Sequence, residues 1–290
     1  MKAALVGHGI TKSLTPIMHM EEAHHQGFDY QYDVIDTQTP AHQDRKLSDI
    51  VNQARADGLS GLNVTHPFKL EAAKIADNLF GSARELQTVN TLVFDGDKVM
   101  GHNTDYVGFR SSLRKFLPAS DLREVVLFGA GGAGRSVALA LIDQGTRHLT
   151  IIDKNTHQAI QLKQLIELHR PNASVRFASS SDDLDLRKGS GFVNATPVGM
   201  ADHAGSVLDV AKIRRSAWIS ELVYLPSETL LLKHARMGGN RTMNGIGMAV
   251  YQAVAAFRLL TSKQADPDRM LAICKASLTP QSGDLEAHRA

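Results

Sequence analysis

The 290 residues predict an α/β fold in two domains, the second built on a doubly wound parallel sheet. Length is the first reason, because chains of this size divide into domains of roughly 100–150 residues. The second reason is that strand-like and helix-like segments alternate from the N-terminus onward. The third is that strands and helices follow one another in series from Glu124. Serial strand–helix–strand units imply a parallel sheet with right-handed crossovers.

Residues 3–6 read as a buried strand ended by Gly7-His8-Gly9. Thr15-Pro16 opens a helix, with proline suited to the first helical position. Residues 30–35 alternate and are rich in aromatic and branched side chains, the pattern of a strand. A helix is expected over 47–57, a strand over 59–64 and a helix from Phe68. Strands over 90–94 and 98–100 flank Asp95-Gly96, a strong hairpin signal.

In the second half, 125–128 is a buried strand, followed by a glycine-rich turn and a helix over 135–144. A strand over 149–152, a helix over 158–169 and strands over 175–177, 191–194 and 218–223 continue the series. Beyond Gly247, Met248, Tyr251, Val254, Ala255 and Leu259 recur at helical spacing. The polar tail after Thr279 is expected to fray.

The formal charge is +2, from 32 basic and 30 acidic residues, with no basic stripe. Nucleic acid is therefore not an expected partner. The single cysteine, Cys274, makes neither an internal disulfide nor a thiolate zinc site and fits a reducing compartment. No secretion signal and no stretch of ~20 apolar residues is present, so a cytoplasmic location away from membranes is expected. Among 13 histidines, Glu21-Glu22-Ala23-His24-His25 has metal-ligand spacing but reads as a solvated helix face. No metal is expected. No Gly-x-Ser-x-Gly elbow supports serine hydrolysis.

Gly129-Ala130-Gly131-Gly132-Ala133-Gly134 lies between a strand and a helix. In a dinucleotide turn one glycine makes the tight bend, one admits a pyrophosphate and one permits close packing of helix on strand. The helix N-terminus offers free N–H groups to phosphate. Asp153 ends the next strand, where a carboxylate can take the ribose hydroxyls. Together these predict a Rossmann-type nucleotide domain. Asp153 suits the free 2′-hydroxyl of NAD and repels the 2′-phosphate of NADP. Lys154 partly offsets that charge, so NAD is expected and NADP stays open.

Two polar clusters follow strands in the first half, one spanning 63–69 and the other 101–105. Transfer of a hydride at a carbon bearing oxygen needs a proton to move on that oxygen, which a lysine of lowered pKa can exchange. Spacing alone leaves Lys69 and Asp105 as readily two unrelated surface charges.

Ser13-Leu14-Thr15-Pro16, Asn63-Val64-Thr65-x-Pro67-x-Lys69, Val89-Asn90-Thr91, Gly101-x-Asn103-Thr104-Asp105 and the glycine turn occur in that order. Asn194-Ala195-Thr196-Pro197-x-Gly199-Met200, Val223-Tyr224-x-Pro226 and Asn244-Gly245-x-Gly247-Met248 follow. This ordered set resembles the shikimate dehydrogenase family over nearly the whole chain. The resemblance implies two α/β domains with a cleft between them. Residues 1–105 with 246–290 would bind substrate, and 106–245 would bind the nucleotide. Lys69 and Asp105 would be the catalytic pair. Ser13 and Thr15 would hold a substrate carboxylate, with Tyr224 near it. Asn63, Thr65, Asn90, Asp105 and Gln252 would hold ring hydroxyls. Thr196 and Met200 would contact the cofactor, with Gly245 and Met248 beside its nicotinamide.

Thr15, Asp153-Lys154-Asn155-Thr156, His66-Pro67-Phe68-Lys69 and Tyr224-Leu225-Pro226-x-Glu228-Thr229 are most similar to the NAD-using quinate/shikimate dehydrogenases. The expected substrate is thus a hydroxylated cyclohexane or cyclohexene carboxylate, shikimate or quinate, interconverted with its 3-dehydro ketone. Gly7-His8-Gly9-Ile10 and Gln87-Thr88 depart from the family pattern beside that site, which keeps aminoshikimate or a related ring open. A nucleotide-binding sensor without catalysis is the rival of another class, and a homodimer is compatible with the sequence. His66 and His102 flank the expected site, either behind it or as structural side chains.

Overall fold

A computed structural model describes residues 1–117 and 121–278, so the tail expected to fray lies outside the described residues. The first half runs β1 (Lys2–Gly7), α1 (Thr15–His25), β2 (Gln31–Asp36), α2 (Leu47–Ala56), β3 (Gly61–Val64), α3 (Lys69–Ile75), β4 (Asn78–Leu79), α4 (Ser82–Leu86), β5 (Thr91–Asp95), β6 (Lys98–His102) and α5 (Thr104–Phe116). Its sheet has the order β2-β1-β3-β5-β6-β4. β1 pairs in parallel with β2 and β3, whereas β5 is antiparallel to both β3 and β6.

The second half runs β7 (Glu124–Phe128), α6 (Gly132–Asp143), β8 (His148–Ile152), α7 (Thr156–His169), β9 (Ser174–Ala178), β10 (Gly191–Asn194), β11 (Trp218–Glu221), α8 (Leu230–Met237) and β12 (Arg241–Met243). These strands form one all-parallel sheet, β12-β11-β10-β7-β8-β9. Order reverses beside β7, the switch point where doubly wound sheets bind ligands. The near-continuous apolar runs of β7 and β8 fit this, since both faces of a parallel sheet are covered. α9 (Ile246–Thr261) and α10 (Pro267–Leu278) return to the first sheet, where Phe257, Leu260, Met270 and Cys274 share a core with Ala3 and Leu5. The fold is therefore the expected pair of α/β domains.

Local readings differ in places. The hairpin turn is Gly96-Asp97, because Asp95 pairs with Lys98 and stays in the strand. Only Gly96 has positive φ, 55°, so the turn has the II′ pattern with glycine first rather than Asp-Gly at its centre. α6 begins at Gly132, inside the glycine run, so the last glycines form its first turn. α5 is a helix that the sequence did not announce, and it runs through the expected boundary at 105. Its buried stripe, Asp105, Gly108, Phe109, Ser112 and Leu113, has helical spacing but is half polar or small. The Glu21–His25 stretch is not a wholly solvated face. Glu22 is fully buried, where Arg269 of α10 donates to both its oxygens at 3.3 Å.

Candidate active site

Several of the predicted residues meet around Lys69 and the start of the glycine turn. Lys69 is the first residue of α3, directly after the loop that leaves β3. Asp105 lies in the first turn of α5, which Asn103 caps by accepting the Tyr106 N–H at 3.2 Å. Lys69 Nζ donates to Asp105 Oδ2 at 2.5 Å, with both side chains largely buried (15% and 7% exposed). That pairing replaces the open alternative of two unrelated surface charges.

Asn90 fixes the other carboxylate oxygen. Its Nδ2 donates to Asp105 Oδ1 at 3.0 Å and to Thr104 Oγ1 at 2.8 Å, while its Oδ1 accepts the Thr104 N–H at 2.7 Å. Charge-assisted bonds of this kind are the strong ones. Gln252 arrives from α9, with Oε1 3.4 Å from Thr104 Oγ1 as its acceptor. Asn63 is spent inside the fold: Oδ1 accepts the Tyr32 hydroxyl at 2.6 Å, and Nδ2 donates to Thr91 Oγ1 at 2.9 Å. Thr65 packs on Gly7, where a Cβ would come within 2.4 Å of Thr65 Cγ2.

Ser13 Oγ accepts the Thr15 N–H at 3.3 Å, and Tyr224, from the segment after β11, stands near the Ser13 side chain. Asp36, which sequence reasoning missed, holds the loop leading there. Its carboxylate accepts the N–H groups of Gly9 and Ile10 at 2.9 and 2.8 Å. Tyr32 and Thr104 were missed likewise. An acid ending a strand before Thr37 was the available signal for Asp36; for Tyr32 there was none.

The glycine turn meets the polar cluster. A Cβ on Gly132 would lie 3.0 Å from Lys69 Cβ and Cδ. Gly129 has φ +101°, and a Cβ on Gly134 would come within 2.0 Å of Gly129 O. A Cβ on Gly131 would meet nothing within 4 Å. Tight bend, open cradle and close helix packing are thus divided among three glycines as a dinucleotide pyrophosphate requires. Asp153 sits at the outer side of the turn, Oδ2 accepting the Ala130 N–H at 2.6 Å and Oδ1 the Asn155 N–H at 2.8 Å.

Thr196 packs against Gly129, and a Cβ on Gly245 would strike Leu222 O at 2.0 Å. Met248 is buried and Met200 is exposed. His102 stacks on Phe80 at 5.0 Å and His66 stands edge-on to His8 at 6.4 Å. Neither ring bonds the Lys69–Asp105 pair among the described residues. Among those residues no group of three or more His, Cys, Asp or Glu could hold a metal, and no helix is long and apolar enough to cross a membrane.

A doubly wound sheet with a dinucleotide turn pressed against a buried lysine–aspartate pair defines a pyridine-nucleotide oxidoreductase acting on an alcohol or ketone. Known proteins narrow the class. Residues 5–92 match the family model described as shikimate dehydrogenase substrate binding domain, and 245–275 match shikimate 5′-dehydrogenase C-terminal domain. The shikimate dehydrogenase (NADP(+)) of Streptomyces avermitilis is 42% identical over 270 residues, 92% of each chain. The quinate/shikimate dehydrogenase (NAD(+)) of Corynebacterium efficiens is 38% identical over 270 residues, 92% of this chain and 95% of that one. The solved quinate dehydrogenase from Corynebacterium glutamicum in complex with NAD superposes with TM-score 0.87 at 36% identity, covering 95% of this chain and 99% of that chain. The chain belongs to the shikimate dehydrogenase family.

Proposed function

We propose that this enzyme oxidises shikimate or quinate to the 3-dehydro ketone, or runs the reverse reaction, with NAD as the cofactor. The observation that carries the reading is the Lys69–Asp105 pair lying directly against Gly132 of the nucleotide turn. A bound nicotinamide supplies the hydride donor or acceptor. Lys69 Nζ exchanges the proton of the substrate oxygen at the carbon that trades hydride. Asp105 holds that amine in place and is itself oriented by Asn90. Ser13 and Thr15 take the carboxylate, with Tyr224 near it. Thr65, Asn90 and Gln252 face the ring hydroxyls. Asn63, whose amide is taken by Tyr32 and Thr91, is left out of the ring contacts.

Gly129 to Gly134 hold the pyrophosphate, and Thr196, Met200, Gly245 and Met248 border the rest of the nucleotide. Asp153 supports NAD over NADP, since a carboxylate fixed beside the turn repels a 2′-phosphate. The relatives named for NAD(+) and for quinate support the same choice, against others named for NADP(+). Residues 1–105 with 246–290 form the substrate domain and 106–245 the nucleotide domain, of a cytoplasmic protein.

Initial rates for shikimate and quinate, each with NAD and NADP, test this. Activity confined to NAD is expected, and the ratio of the two acids names the substrate. Faster turnover with NADP overturns the cofactor choice. Activity with neither acid overturns the substrate choice and turns attention to aminoshikimate.

A further inference from the structure

Burial, geometry and chemistry single out a carboxylate that the proton-transfer site does not use. Glu221 ends β11 and is 1% exposed. No cation pairs with it among the described residues. β10 and β11 are neighbours in register, so Asn194 stands opposite Glu221. Asn194 Nδ2 donates to both carboxylate oxygens, at 2.9 and 3.1 Å. Val223 N–H donates to Oε1 at 3.2 Å, and the Thr229 hydroxyl to Oε2 at 3.2 Å. Thr229 is also the N-cap of α8. One side chain thus ties together the end of β10, the segment leading to Tyr224, and the start of α8.

The tie continues toward the nucleotide turn. Asn194 Nδ2 also donates to Val198 O at 2.8 Å. Asn194 Oδ1 accepts both the Thr196 N–H, at 2.9 Å, and the Thr196 hydroxyl, at 2.7 Å. Thr196 Cγ2 in turn sits 3.1 Å from the place a Cβ on Gly129 would occupy. Burial without a counter-charge pushes the Glu221 carboxyl up to about 7, a cost that an apolar strand end would not carry. A carboxylate has about four acceptor sites, and that capacity is what gathers donors from three segments.

We propose that Glu221 is a positioning residue for the nucleotide, acting through Asn194 to seat the Thr196–Met200 loop over the glycine turn. The inference rests on the nucleotide-binding reading of that turn. Glu221→Gln replaces one acceptor oxygen with an N–H donor that faces Asn194 Nδ2, Val223 N–H or Thr229, so the chain of bonds to Thr196 breaks.

The test is equilibrium binding of NADH, with NADPH in parallel, at pH 8, where the carboxylate is the major form, together with unliganded melting temperature. Glu221→Gln should weaken NADH binding about tenfold. Glu221→Asp, which keeps the charge but shortens the reach, should show a smaller loss in the same direction and serves if the glutamine variant does not fold. Thr229→Val removes a donor to Glu221 outside the Asn194 limb. It should lower the melting temperature with NADH affinity unchanged. Glu221 variants that melt earlier yet bind NADH like the wild type overturn the proposal and leave a structural role only. Wild-type protein that binds neither nucleotide overturns the nucleotide-site reading, and this inference with it.

Discussion

His19 should make the protein lose stability in acid, and replacing it should remove that loss. The ring is fully buried on α1, 4.8 Å from Tyr32 and 5.6 Å from Phe257 by ring centroids, and neither ring nitrogen has a hydrogen-bond partner. Burial lowers its pKa from 6.5 to about 3. Between those values the unfolded chain binds a proton that the folded one refuses. Stability from this residue is therefore complete above pH 6.5 and is lost as pH falls toward 3. At about 1.36 kcal/mol per pKa unit, the loss is about 2 kcal/mol at pH 5 relative to pH 8.

Glu221 acts in the opposite sense. Its folded pKa of about 7 lies above the ordinary 4.5, so the folded state gains stability as pH falls through 7 and loses it as pH rises. That gain is about 2.5 kcal/mol over the same interval, so these two contributions nearly cancel in the wild type. The perturbation is His19→Leu, similar in volume and free of unpaired nitrogens. Urea unfolding at pH 8 and pH 5 measures the result. The stability difference between variant and wild type should shift by about 2 kcal/mol in favour of the variant on acidification. Equal pH dependence for the two proteins would refute the argument that His19 is held neutral by burial.

Three further outcomes follow from the site. Lys69→Ala should lower kcat about 10²–10⁴-fold with little change in NADH affinity, as measured by steady-state kinetics and nucleotide titration. Gly134→Ala forces a methyl to within 2.0 Å of Gly129 O, so NADH binding should be lost and stability should fall by about 1–3 kcal/mol in urea titration. Asp153→Asn keeps an acceptor for the Ala130 N–H but removes the charge; kcat/KM with NADP should rise relative to NAD by about tenfold, and an unchanged ratio would clear Asp153 of selecting the cofactor.

What the sequence made legible was whatever repeats locally. The apolar runs of β7, β8 and β10 and the glycine turn between β7 and α6 needed no tertiary information. β4, with two residues, and α4, with five, are too short to carry a period. α5 hides because its inward face is given to Asp105, Gly108 and Ser112 for the site and the helix crossing rather than to apolar side chains. Side-chain pairings across long separations were illegible for a different reason. Glu22 looks like a solvated acid until α10 brings Arg269 to it. Asn63 looks free to meet a ligand until β2 brings Tyr32. Lys69 and Asp105 could be paired from the sequence only because an ordered set of motifs stood around them.

The helix crossing explains how two sheets come to share one site. α5 and α9 meet where a Cβ on Gly108 would lie 2.7 Å from Met248 O, and one on Gly247 would lie 2.3 Å from Ser112 Oγ. Small residues at both positions let the backbones approach, as they do at other close helix contacts. The approach places Gln252, on α9, next to Thr104, at the start of α5 and bonded to Asn90. It also fixes Met248, which belongs to the same core as Val125 and Leu127 of β7, to the helix that carries Asp105. α5 in turn reaches α6 through Tyr106, whose hydroxyl donates to Asp143 at 2.7 Å. Asp143 receives Arg170 from the end of α7, and Arg170 also pairs with Glu85 of α4 at 3.0 Å. The Lys69–Asp105 pair and the glycine turn are therefore held in one register by packed backbone at Gly108 and Gly247 and by ion pairs at Arg170. A substitution at either glycine would displace Gln252 and Met248 together, because both ride on the helix that these contacts seat.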